Sequence, residues 1–170
     1  MIFITVGSRS FQFNRLLEAI DKAVSRGEIK DNIYAQIGSS DYKVKNFKCI
    51  DFLNHDEFNK CLDDCDIVVT HGGTGVIVNA VKRGKRVVAV PRLARYGEVV
   101  DDHQIQLVKE FEKVGMVTAC YDCDHIADAI QKAVKKEAVP YVSNTQNIID
   151  SIEDMIKENF AQKADHDSSE

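Results

Sequence analysis

At 170 residues, 44% of them hydrophobic, the chain is long enough to bury one good core and reads as a single domain. Its formal net charge of −5 argues against nucleic acid as the main partner, because phosphate backbones are held by clustered Lys and Arg. No apolar run approaches membrane-spanning length, and five scattered cysteines suit reduced cytoplasmic thiols better than a disulfide framework. Met1 leads directly into a strand-like run, so no secretory leader is expected and the location reads as cytoplasmic.

Short β-branched runs alternate with helical periodicity from the first residue, the pattern of an α/β fold with a parallel sheet covered by helices on both faces. Six strands are predicted, near residues 2–6, 33–37, 48–50, 66–70, 86–90 and 116–119. Between the first two, Phe13, Leu16, Leu17, Ile20, Ala23 and Val24 recur at helical spacing, and Gly27 supplies the helix stop. Further helices are predicted near 55–64, 74–83, 101–112 and 125–136. A last amphipathic helix near 144–160 carries an apolar stripe of Ile148, Ile149, Ile152, Met155, Ile156 and Phe160, which must dock on its own sheet or on another polypeptide. The tail 161–170 lacks apolar periodicity and is expected to be disordered, leaving 1–160 as the domain.

Ligands of open parallel sheets bind beyond the carboxyl ends of the strands, so the loops after each strand carry the functional reading. The sharpest is His71-Gly72-Gly73-Thr74-Gly75, a glycine-rich turn between a strand and a helix. Three glycines in four positions let backbone approach a ligand, and the helix behind them offers unpaired N–H groups and the positive end of its dipole. That is a seat for an anion such as phosphate, although a tight ligand-free turn also uses glycines. Gly7-Ser8-Arg9-Ser10, Gly38-Ser39-Ser40 and the long Pro91 to Glu98 loop leading to Asp101-Asp102-His103-Gln104 would share the same edge. Hydroxyls, glycines, histidines and arginines together suit a phosphorylated, hydroxyl-rich small molecule.

Competing motifs are weaker. Gly73-Thr74-Gly75 opens a GxGxxG, but Val78 replaces its last glycine, and no GxxxxGK[ST] exists. Asp64-Cys65-Asp66 has the form of a metal-binding DxD yet precedes a strand, which favours helix-end solvation. Cys61 and Cys65 with Cys120 and Cys123 allow a four-thiolate zinc site only if the fold unites the pairs, and His71 with His103 lacks obvious further ligands. Lys82, Arg83, Lys85 and Arg86 around Gly84 complement a helix C-terminus or contact an anionic membrane or acidic surface.

Thr5-Val6-Gly7-Ser8, the segment Asp66 to Gly75, and above all Pro91-Arg92-Leu93, Tyr96-Gly97-Glu98 and Asp102-His103-Gln104 resemble the C-terminal, donor-binding half of a GT-B glycosyltransferase. The resemblance covers residues 2 to about 117 and is to the two-component kind whose halves are separate chains. It includes the PssE-like exopolysaccharide and capsule subunits, which are similar to the catalytic subunit of the eukaryotic enzyme that adds the second N-acetylglucosamine to dolichol-linked sugar. The resemblance implies a UDP-sugar donor and an inverting transfer that needs no metal or other cofactor. It implies that Gly72, Gly73, Thr74 and Gly75 hold the diphosphate with His71 beside it, and that Asp102, His103 and Gln104 meet the sugar hydroxyls. Gly7 and Ser8 would face the cleft, and the turn near Phe52 and Leu53 would receive the uracil. Asn79 stands where relatives place a ribose-binding Glu, and Asn can still hydrogen-bond a hydroxyl. Arg92 or Arg95 would serve the diphosphate, an acidic sugar or a partner.

No catalytic base is identified in this chain beyond His71 as a candidate, and the resemblance implies that base and acceptor belong to a membrane-associated, Rossmann-like partner subunit that presents a lipid-linked sugar and recruits this one to the membrane periphery. A non-catalytic accessory subunit that stimulates such a partner is the alternative, and a free nucleotide-sugar enzyme is a third reading.

Overall fold

A computed structural model describes residues 1–137, all within the unit Met1–Pro140. The helix predicted near 144–160 and the tail 161–170 lie outside the described residues. In chain order the elements are β1 (Ile2–Thr5), α1 (Asn14–Ser25), β2 (Ile33–Gln36), β3 (Lys48–Ile50), α2 (His55–Asp64), β4 (Ile67–His71) and α3 (Thr74–Lys82). There follow β5 (Arg86–Val90), a 3-10 turn (Ala94–Tyr96), α4 (His103–Lys113), β6 (Thr118–Ala119), a second 3-10 turn (Cys123–His125) and α5 (Ile126–Lys135). The six strands form one parallel sheet in the order β3-β2-β1-β4-β5-β6, so the direction of strand addition reverses where β4 pairs in parallel with β1. All six predicted strands are present.

Alternation along the strands divides the core into two layers. Ile2, Ile4 and Val6 with Ile67, Val69, Val88 and Val90 face one way and bury against Leu16, Leu17 and Ile20 of α1 and Ile126 and Ile130 of α5. Phe3 faces the other way and meets Phe58 of α2 edge-on, ring centroids 5.4 Å apart. Strands buried on both sides explain why β1, β4 and β5 read as continuous apolar runs rather than alternating ones.

Local chemistry sets the element ends. Asn54 and Glu57 form a reciprocal capping box at α2, and Gly27 adopts φ +72° just beyond α1. Most predicted bounds hold to within one residue, and two starts move by two. Helix α4 starts at His103 rather than residue 101, because Asp101 accepts from the His103 N–H and Asp102 turns its carboxylate to the Ala94 N–H at 2.8 Å. Strand β6 is only two residues, since Met116 N–H still closes the end of α4 on Phe111 O. Among the described residues no helix is long and apolar enough to cross a membrane.

Candidate functional site

Because every strand is parallel, the loops after β1, β4 and β5 and the start of α4 meet at one edge. There they enclose a cleft of about 200 Å³. Its centre is His71, the last residue of β4, and the glycines beside it are explained by that ring. A Cβ on Gly73 would lie 2.4 Å from His71 Nε2, and one on Gly7 would lie 2.7 Å from Cε1, so only glycine fits at either position without displacement. Gly7 also needs its φ of +82°. Gly72 is required by packing instead: a Cβ there would press on Gln104 and Val108 of α4 at 3.0 Å.

His71 is held by its neighbours. Thr70 Oγ1 donates to Thr5 O at 3.0 Å and lies 3.3 Å from His71 Nδ1, an arrangement that favours the proton on Nδ1 and leaves the Nε2 lone pair free. Burial, then the positive charges of Arg92 and Arg9, push this imidazole down to about 4, so it is neutral at pH 7. Behind it, α3 begins with Gly73 as N-cap, which makes no side-chain cap bond. The first N–H groups of the helix therefore remain available to an anion.

Arg92 is 2% exposed and borders the cleft. Its Nη1 donates to Phe11 O and Glu98 O at 3.0 Å each and its Nη2 to Val6 O at 2.6 Å, while Nε is buried with no partner. Its main-chain N–H donates to Gln104 Oε1 at 3.1 Å, which ties the loop after β5 to α4. His103 is exposed and hydrogen-bonded to the Asp101 carboxylate.

Of the residues singled out in the sequence, His71, Gly72, Gly73, Thr74, Arg92, His103 and Gln104 line this cleft together. Ser8 and Gly75 are exposed beside it, and Gly75 has open space where a Cβ would stand. Phe52, 49% exposed, and Leu53 sit beyond β3 at the neighbouring loop, and Leu53 N–H donates to buried Gln36 Oε1 at 3.1 Å. Gln36 Nε2 in turn reaches Gly7 O at 3.3 Å, linking that loop to the cleft. Asp102 Oδ1 accepts from the Ala94 N–H and Asn79 Oδ1 accepts from Arg83 Nη1, so each of these two oxygens already has a partner.

Arg9 and Glu98, which the sequence placed in loops of this edge without a site role, also line the cleft, as do Phe11 and Val99, which it did not single out. For Arg9 the signal was present: a cation in the loop after the first strand of a fold whose ligands lie at that edge.

The weaker readings separate in space. Cys120 and Cys123 belong to the core beneath α1 and α5, whereas Cys61 and Cys65 lie on and just after α2, so the fold does not unite the two pairs. Asp66 precedes β4 and therefore lies at the edge of the sheet away from the cleft. Arg83 donates to Asp63 Oδ1 at 2.8 Å and Asn59 Oδ1 at 2.9 Å, and Lys85 Nζ to the Asp63 and Cys65 carbonyls, so these cations of the basic cluster tie α2 to α3. Among the described residues no three His, Cys, Asp or Glu side chains are placed to hold a metal ion.

Comparison with known proteins finds that residues 1–162 match the glycosyltransferase family 28 C-terminal domain. The chain is 24% identical over 131 residues to the UDP-N-acetylglucosamine transferase subunit ALG13 of Candida glabrata, covering 76% of this chain and 63% of that protein. It thus spans less than two thirds of that relative's length. Among solved structures, the calicheamicin glycosyltransferase CalG4 superposes with a TM-score of 0.60 at 15% identity, over 81% of this chain and 34% of that one. The solution structure of ALG13 superposes with a TM-score of 0.53 at 18% identity, over 82% and 87% of the two chains. These likenesses establish a Rossmann-like fold of the GT-B kind.

Proposed function

This chain belongs to the glycosyltransferase family 28 C-terminal domain family, and we propose that it is the donor-binding subunit of a UDP-sugar-dependent, inverting glycosyltransferase. The observation that carries the proposal is the uncapped N-terminus of α3 opening, past a histidine wedged between two glycines, into a cleft bordered by Arg9 and Arg92. Such a site neutralises a diphosphate with backbone N–H groups, a helix dipole and fixed cations.

In the transfer, an acceptor hydroxyl displaces the nucleoside diphosphate from the anomeric carbon. The α3 N–H groups and Arg92 stabilise the negative charge that grows on the leaving group. Gln104 uses Oε1 on Arg92 and keeps its amide NH2 for a sugar hydroxyl, as His103 does with its ring. The Phe52 ring, exposed beside the Gln36–Leu53 link, offers an apolar face for uracil. The hydroxyl must also lose a proton. His71, neutral with a free Nε2, is in the cleft, but its low basicity makes it a poor general base. The base and acceptor are therefore assigned to a separate, membrane-associated, Rossmann-like subunit presenting a lipid-linked sugar. In that arrangement the chain works at the membrane periphery in bacterial exopolysaccharide or capsule synthesis.

An NMR titration of the chain with UDP and, in parallel, ADP tests this. Shifts of the Gly72, Gly73 and Gly75 amides with UDP but not ADP are expected. An equal response to both nucleotides, or UDP shifts confined to residues away from the cleft, would overturn the uridine assignment. A second reading, an accessory subunit that only stimulates its partner, draws support from Asn79, whose carbonyl oxygen is taken by Arg83. Replacing both His103 and Gln104 separates the two, because an accessory subunit would still stimulate.

A further inference from the structure

The wall of the cleft contains a cluster of buried charge whose members come from distant parts of the chain. Glu98 is fully buried, and both its carboxylate oxygens are taken by Arg15 of α1: Nε to Oε1 and Nη2 to Oε2, 3.0 Å each. Arg15 spends its remaining donors locally, Nη2 on Pro91 O at 3.1 Å and Nη1 on Cys123 Sγ at 3.0 Å. Its guanidinium lies over the Phe13 ring at 5.4 Å and the Tyr96 ring at 5.0 Å. Arg15 itself does not line the cleft.

Arg92 is the second arginine of the cluster, and its situation differs. Among the described residues it has no carboxylate within salt-bridge distance; its donors reach three main-chain carbonyls, and Nε reaches nothing. One carboxylate thus serves a site with two arginines, and the planar fork of Arg15 bonds both of its oxygens. Leu93 N–H adds a third bond to the same Glu98 carboxylate at 2.9 Å, which fixes the loop from both ends.

We propose that Arg15 is a positioning residue of the anion seat: by holding Glu98 it keeps that carboxylate out of a direct ion pair with Arg92 and leaves Arg92 without an ion-pair partner at the cleft. The proposal rests on the cleft being a diphosphate site. It assigns to a residue of the first helix, outside the cleft, control over the electrostatics of a loop 76 to 83 residues away in sequence.

The test compares full-length wild type with Arg15→Met, Glu98→Gln and the Arg15→Met/Glu98→Gln double variant, titrated with inorganic pyrophosphate and with UDP, alongside urea unfolding of each. Freeing the Glu98 carboxylate in Arg15→Met is expected to weaken pyrophosphate binding roughly tenfold or more, and neutralising it in the double variant to restore binding to within about threefold of wild type. Glu98→Gln alone keeps wild-type affinity or gains, even though it loses stability. A merely structural role predicts the reverse, since removing a second member of the network cannot repair the first loss. A folded Arg15→Met that binds like wild type, a double variant no better than Arg15→Met, or a folded Glu98→Gln that loses pyrophosphate would each overturn the proposal. Should Arg15→Met not fold, Glu98→Gln decides. Wild type that binds pyrophosphate but not UDP would defeat the nucleotide reading and leave the Arg15 comparison to be read on pyrophosphate. Wild type that binds neither removes the seat and the proposal together.

Discussion

The two sides of the cleft are built by different means. The β4–α3 side is local: consecutive residues, His71 through Gly75, supply the ring, the close backbone and the helix N-terminus. The β5–α4 side is assembled: Arg92 is held by carbonyls of Val6, Phe11 and Glu98, Glu98 by Arg15, and the Arg92 amide by Gln104. A turn made of glycines leaves little to go wrong except volume, whereas a loop held by buried charge depends on every partner being present. The first side should fail by crowding and the second by unpaired charge.

The largest effect should therefore come from the assembled side. Glu98→Leu leaves Arg15 half-buried without its carboxylate and removes the acceptor for Leu93 N–H, and about 3–5 kcal/mol of stability should be lost, measured by urea unfolding. A loss below about 1 kcal/mol, the scale of an exposed pair, would mean that the loop does not depend on this ion pair.

Acid should act on the local side through His71. Its folded-state affinity for a proton is depressed to about 4 from the ordinary 6.5, mainly by burial. Between those values the unfolded chain binds a proton that the folded chain does not, so stability is full above pH 6.5 and falls as pH drops toward 4. The loss attributable to this group is at most about 3 kcal/mol at the lower end. His71→Gln should flatten that part of the profile in urea titrations run at pH 7 and 4.5, and an unchanged slope in the variant would reassign the acid sensitivity elsewhere.

Two glycines two residues apart sharpen the contrast at smaller scale. Gly73→Ala drives a Cβ into the His71 ring and should cost about 1–3 kcal/mol while weakening UDP binding. Gly75→Ala meets open space inside a helix and should stabilise by roughly 0.5–1 kcal/mol. A bulky residue at position 75 should block the α3 N-terminus without unfolding the core. Equal stability losses at positions 73 and 75 would show that turn conformation, rather than the His71 ring, selects these glycines.

Legibility in the sequence follows the same division. The strands, the first helix and its glycine stop were readable because apolar periodicity and capping are local signals. The glycine turn was readable for the same reason, although the partner that demands Gly7 and Gly73 was not, since His71 meets Gly7 only when β4 pairs with β1. Asp102 and Gln104 were expected at sugar hydroxyls, yet each also anchors the loop after β5, a use that no window of sequence displays. Arg15 occupies a polar position of an amphipathic helix, where a solvated cation is the ordinary reading, and 83 residues separate it from the carboxylate it binds.

The sequence alone determined that the chain makes a parallel α/β sheet and that a glycine turn leads from its fourth strand into a helix, because both follow from side-chain period and backbone freedom within a few residues. Tertiary structure alone decided which of two arginines is neutralised and which borders the cleft, because that choice depends on a single carboxylate's distance to each, and such distances exist only once the first helix has packed against the fifth strand's loop.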